Sequence, residues 1–137
     1  SGFALIQKII ALIKDGSNSI LKKVLNKKGF LELEDILNAV QKGDNLTLQA
    51  ISSIAENLGR GLAITINIFN PELIIIGGAL SAIGEPLLLP LKTSIIHYSL
   101  NLVNTDTKVV LSNLHYRAGL LGSCLLVRDK LFGILQF

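Results

Sequence analysis

The stretch NIFNPELIIIGGALS, Asn67 to Ser81, constrains the fold of this chain more than any other. Pro71 has no amide hydrogen and its ring keeps the preceding residue out of the helical region, so a helix must end there. Leu73 to Ile76 then form an unbroken apolar run rich in β-branched residues, which predicts a strand covered on both faces. Gly77-Gly78 ends it. Such a strand leaves bare backbone at its carboxyl edge, where open α/β sheets take their ligands. Two readings of the glycine pair stand side by side. It is a loop on which a flat group such as adenine or ribose can lie, or it is a tight turn that tolerates no side chain. The spaced glycines of a dinucleotide or P-loop signature are missing.

Everything before Pro71 reads as helix. In residues 3–14, Leu5, Ile6, Ile9, Ile10 and Ile13 recur at helical spacing. Asp15-Gly16 stops that run, and Ser17 is the expected N-cap of a second helix over 18–28, closed by Gly29. A third helix is predicted over 33–42. Asp44 or Asn45 then caps a long one that carries Leu48, Ile51, Ile54, Ala55, Leu58, Leu62, Ala63, Ile66 and Phe69. Gly59 and Gly61 sit inside that pattern at about 1 kcal/mol each relative to alanine, a cost that a close helix crossing or a break would justify. After Gly78, a loop with Pro86 and Pro90 leads to a helix over 91–100. A second strand, KVVL, follows at 108–111, and an apolar closing helix at 119–131. Residues 1–70 are thus mainly helical, and 71–137 read strand, helix, strand, helix. The fold class is α/β, as a single partial domain, because two strands do not make a stable parallel sheet alone.

Composition narrows the function classes. Half of the 137 residues are apolar and 17% are charged, which is a folded chain with a core of Leu, Ile, Val and Ala. The net charge of +3 falls short of the multi-phosphate patch that binds nucleic acid by charge, and Lys22, Lys23, Lys27 and Lys28 read as one wet helix face. Cys124 has no partner for an internal disulfide, and its apolar neighbours predict a buried thiol in a reducing, cytoplasmic setting. The longest apolar region, residues 62–80, is interrupted by Asn67, Asn70, Pro71 and Glu72, so no membrane span is expected. His97 and His115 stand alone, whereas a zinc site wants three or four converging ligands, so neither reads as a metal ligand or catalyst. Asp106 and Asp129 read as solvated, and Arg60 as a side chain lying along its helix. No methionine occurs, and the chain opens at Ser1-Gly2-Phe3 already in helical pattern, which predicts a piece of a longer protein.

The segment ENLGRGLAITINIFNPELIIIGGALS closely resembles the C-terminal signature of the ROK family of repressors, open reading frames and sugar kinases. The matching elements are Leu58-Gly59, Gly61, Asn67 to Pro71, Glu72, the apolar run and Gly77-Gly78. Lys42-Gly43-Asp44 resembles the preceding helix boundary, and YRAGLLGSCLLVRDKL resembles the family's last helix, with Ser123 and Cys124 varying its small-residue theme. The end of the chain is more similar to the NagC/XylR-type repressors than to the compact glucokinases.

The resemblance implies the C-terminal part of an actin-like, sugar-kinase (ribonuclease H-like) ATPase domain, with two lobes around a cleft. It implies that Gly77, Gly78, Ala79 and Leu80 belong to an adenosine-side motif. For a full-length parent it implies ATP with Mg, a structural zinc, a sugar or sugar-phosphate effector, a homo-oligomer, and DNA contact only through an N-terminal helix-turn-helix. The sequence contains no Asp-Xaa-Gly phosphate loop, no persuasive pair of acidic residues and no Cys-Xaa-Cys-Gly-Xaa-Xaa-Gly-Cys zinc run. No catalytic residue, metal ligand or bound cofactor is therefore expected in these 137 residues. The chain reads as the effector and oligomerisation region of a sugar-responsive regulator, with the C-terminal part of a hexose kinase as the alternative.

Overall fold

The computed structural model describes residues 2–100 and 107–133, with Tyr116 described by its backbone alone. Four helices come first: α1 (Gly2–Lys14), α2 (Leu21–Lys28), α3 (Leu33–Gln41) and α4 (Asn45–Phe69). Then follow β1 (Leu73–Ile76), a 3₁₀ turn (Ala79–Ile83), α5 (Glu85–Tyr98), β2 (Lys108–Leu111), a second 3₁₀ turn (His115–Arg117) and α6 (Ala118–Leu131). The two strands pair in parallel, Leu73 opposite Lys108 and Ile76 opposite Leu111.

The apolar stripes of the helices converge on one core. Leu5, Ile9, Leu21, Ile36, Ile51, Ile66, Leu87 and Leu91 are all buried there. The largest helix–helix contact is between α4 and α5, and Gly59 explains how close it is. A Cβ on Gly59 would lie 2.5 Å from the Ser94 Cβ and 3.0 Å from the Leu91 carbonyl oxygen. The Ser94 hydroxyl donates across the crossing to the Glu56 carbonyl at 2.8 Å. Gly59 thus answers to the close crossing, and α4 runs through it unbroken. Gly61 meets nothing within 4 Å, so no packing reason exists for it.

Asp44 ties the N-terminal helices together. Its carboxylate accepts from the Thr47 amide at 3.0 Å and the Thr47 hydroxyl at 2.6 Å, as an N-cap does. It also accepts from the Ser19 hydroxyl and the Ile20 amide, both at 2.9 Å. Burial alone would raise its pKa. Hydrogen bonds from the Thr47 hydroxyl, the Ile20 amide, the Thr47 amide and the Ser19 hydroxyl outweigh that and hold the carboxyl below its ordinary value.

Several sequence expectations need correction. Helix α2 starts at Leu21 and not at 18, and Ser17 is no cap: its amide closes α1 by donating to the Leu12 carbonyl at 3.0 Å. Helix α5 starts at Glu85, six residues before the expected start, because Pro86 occupies the first turn, where no amide bond is missed. Pro90 then lies inside the helix, at the loss of one bond. The strand β1 is covered on one face and not two. Ile74, Ile76, Val109 and Leu111 pack on the core, while Ile75 is 60% and Leu73 49% exposed. The closing helix is the larger surprise. No residue of α6 is buried, and its main contact is the 3₁₀ turn leading into it. Cys124 is accordingly exposed, which overturns the buried thiol. Asp129 is paired with its neighbour Arg128 at 2.8 Å and is not a freely solvated carboxylate. Asp106 lies outside the described residues.

Candidate functional site: the carboxyl edge of the sheet

Because β1 and β2 are parallel, both deliver their carboxyl ends to one edge. Gly77 and Gly78 lie there exposed, followed by half-buried Ala79 and Leu80. Gly78 has φ +80° and ψ −170°, a conformation open only to glycine, yet a Cβ on it would meet nothing within 4 Å. Its glycine is required by backbone shape and not by crowding. Gly77 has no such dihedral requirement, and a Cβ there would come no nearer than 4.0 Å to the Ser112 side chain. The space over the pair is therefore open, as a planar group lying on the backbone would need.

The loop is held from both sides. Ser112, just past β2, donates its amide to the Ile76 carbonyl at 2.8 Å. The hydroxyl of buried Ser81 donates to the Gly78 carbonyl at 2.8 Å, and the Ser81 amide reaches the same carbonyl at 3.1 Å. The Ser81 hydroxyl also meets His115 Nδ1 at 2.9 Å. His115 itself has φ +46°, a left-handed conformation unusual for a residue with a side chain. The sequence places His115 beside Tyr116 and Arg117 and gives no sign that it reaches Ser81, 34 residues earlier. Ser81, three residues past the glycine pair, and Ser112, just past β2, carry no distinctive spacing in the sequence.

The other residues singled out in the sequence lie elsewhere. His97 packs edge-to-face on Tyr98 with ring centroids 4.7 Å apart. Arg60 does more than lie along its helix: its guanidinium stacks 4.7 Å from the Tyr98 ring and binds Glu56 at 3.0 Å. His97, Tyr98, Glu56 and Glu85 line an open groove of about 770 Å³ between α4 and α5. Lys28, of the lysine face, pairs with Asp35 at 3.1 Å and Glu32 at 3.6 Å.

No group of three His, Cys, Asp or Glu side chains converges among the described residues. One exposed cysteine is no donor set for a structural zinc, so the described residues do not fit that metal. No described helix is long and apolar enough to cross a membrane.

The glycine pair opens at the carboxyl edge of a parallel strand pair, and the family model described as "ROK family" matches residues 16–130. The chain belongs to the ROK family. It is 32% identical over 132 residues to the DNA-binding transcriptional dual regulator NagC of Escherichia coli K12, covering 96% of this chain and 31% of that protein. It is 30% identical over 116 residues to a glucokinase of Thermotoga maritima, covering 85% of this chain and 37% of the glucokinase. Among solved structures, a ROK-family glucokinase from Streptomyces griseus in complex with glucose and AMPPNP superposes with a TM-score of 0.80 at 25% identity, over 94% of this chain and 43% of that one. The chain thus spans about a third of the length of the curated relatives it matches.

Proposed function

We propose that this chain is the C-terminal effector and oligomerisation region of a sugar-responsive ROK-family transcriptional regulator. In this reading it forms part of the nucleotide-side lobe of a two-lobed, actin-like fold. Gly77, Gly78, Ala79 and Leu80 line the adenosine side of the cleft, and a sugar or sugar phosphate is the effector. DNA contact belongs to an N-terminal helix-turn-helix outside this sequence. The exposed apolar faces of α6 and of β1 meet either the rest of the protein or a second copy.

The observation that carries the regulator reading is the similarity to NagC along 132 of the 137 residues. The match to the Thermotoga glucokinase is shorter and slightly less identical. A second reading, an ATP-dependent hexose kinase, is favoured by the superposition on the Streptomyces glucokinase. Phosphoryl transfer needs a positioned metal, phosphate donors and a base, which in that reading come from outside these residues. The full-length protein decides between them. Mobility shift on the DNA upstream of its own gene, with and without a sugar panel, is run beside a coupled ATP–hexose assay. Sugar-dependent DNA binding without turnover is the expected result. Turnover that scales with the protein overturns the regulator reading.

A further inference from the structure

We infer that His115 is a positioning residue for the Gly77–Leu80 loop, acting through the Ser81 hydroxyl on the Gly78 carbonyl. This rests on the reading of that loop as an adenine-nucleotide wall.

The hydrogen count assigns the direction of each bond. A serine hydroxyl has one hydrogen and two lone pairs. The Ser81 hydrogen goes to the Gly78 carbonyl, 2.8 Å away, because a carbonyl can only accept. The Ser81 oxygen must therefore accept from His115 at 2.9 Å, which puts a hydrogen on Nδ1. In the neutral ring this leaves Nε2 as the acceptor. The relay runs from imidazole to hydroxyl to carbonyl, and it ends on the one residue of the edge whose dihedrals only glycine adopts.

Two further observations say that the arrangement is imposed and not incidental. Ser81 is 2% exposed, so its bonds face little competition from water. His115 has a left-handed φ, which persists only where the surroundings overdetermine it. The link also joins the two turns that leave β1 and β2, so it closes the carboxyl edge across both strands. With Ser112 holding the Ile76 carbonyl, the backbone on either side of the glycine pair is fixed while the pair itself remains open. A ligand lying on that backbone then meets a surface already in its bound shape, which lowers the ordering cost of binding.

The test uses three substitutions of His115 in the full-length protein. His115→Gly relieves the left-handed backbone but removes the donor. His115→Asn suits the left-handed backbone and puts an amide N–H close to where Nδ1 stood. His115→Ala loses the donor and keeps the backbone strain. Two readouts are taken: hydrogen exchange of the peptide covering 77–84, and ATP affinity by calorimetry.

The expected result is faster loop exchange in His115→Gly and His115→Ala, with ATP binding about five- to tenfold weaker, and recovery of both in His115→Asn. Exchange and affinity unchanged in His115→Gly would overturn the relay. Faster exchange with unchanged affinity would reduce His115 to a structural residue and overturn its positioning role. Wild type that binds no ATP overturns the reading of the loop itself, a failure visible before any variant is made.

Discussion

The body formed by α1 to α5 and the outer layer formed by α6 and the far face of the sheet are equally apolar in sequence, yet they behave oppositely. Ile51, Ile66 and Leu91 are wholly buried, whereas Leu120, Leu126 and Leu131 on α6 are all more than half exposed. The helices of the body each bury an apolar stripe in a common core, although α4 and α5 also expose Ile64, Ile68, Leu89 and Ile96. Helix α6 has apolar residues on every side, the pattern of a helix surrounded by protein. Periodicity therefore identified where packing occurs within the chain. Hydrophobicity alone did not, because it records that a surface wants cover and not which polypeptide supplies it.

The sharpest way to break this comparison is to truncate one side chain in each region. Leu91→Ala should cost about 2–5 kcal/mol in urea unfolding. Ile75→Ala, on the open face of β1, should cost under about 1 kcal/mol in the isolated chain. Comparable losses would mean that the far face of the sheet is covered after all.

Asp44 comes next in size. Asp44→Ala removes the acceptor of four hydrogen bonds at once and should cost about 2–3 kcal/mol near neutral pH. The folded-state pKa is depressed, so this contribution is present above the ordinary value of 3.8 and is lost as pH falls below it. Urea titrations of wild type and variant should therefore converge in acid. A gap that stays constant down to pH 2 would assign the loss to something other than the charge.

The two glycines of α4 give a smaller contrast with opposite signs. Gly59→Ala drives a methyl into Ser94 and the Leu91 carbonyl and should destabilise by about 1–3 kcal/mol. Gly61→Ala meets open space and should stabilise by up to about 1 kcal/mol. Melting temperatures that shift in the same direction would remove the close crossing from the account. The mildest probe is Cys124, which should label quickly with a thiol reagent in the folded chain. Labelling only on unfolding would show α6 docked.

Much of this fold was legible because its signals are local. Asp44 at a helix start, Gly29 at a helix end, Pro71 after the long helix and the β-branched run at Leu73–Ile76 each act within a turn or two. The start of α5 was misread because Pro86 and Pro90 look like breakers wherever they stand, and only the first-turn position makes Pro86 harmless. The glycine pair was legible as an edge, but what holds it was not. Ser81 and His115 are brought together by the parallel register of two strands, and no spacing along the chain encodes that meeting. The choice between crowding and backbone shape at Gly78 also needed coordinates, since both explanations predict the same glycine.

That distinction also determines the most direct measurement of the central claim, that the carboxyl edge at Gly77 and Gly78 receives an adenine nucleotide. Gly78 is a poor site for the test, because any side chain there strains a backbone at φ +80°. Gly77 has no such constraint, so Gly77→Val places a branched side chain over the open surface with little effect on the loop. Calorimetry with an ATP analogue on the full-length protein, paired with circular dichroism, should show binding in wild type and at least about tenfold weaker binding in a folded Gly77→Val. Equal affinity in the two proteins, with the fold intact in both, would contradict the claim.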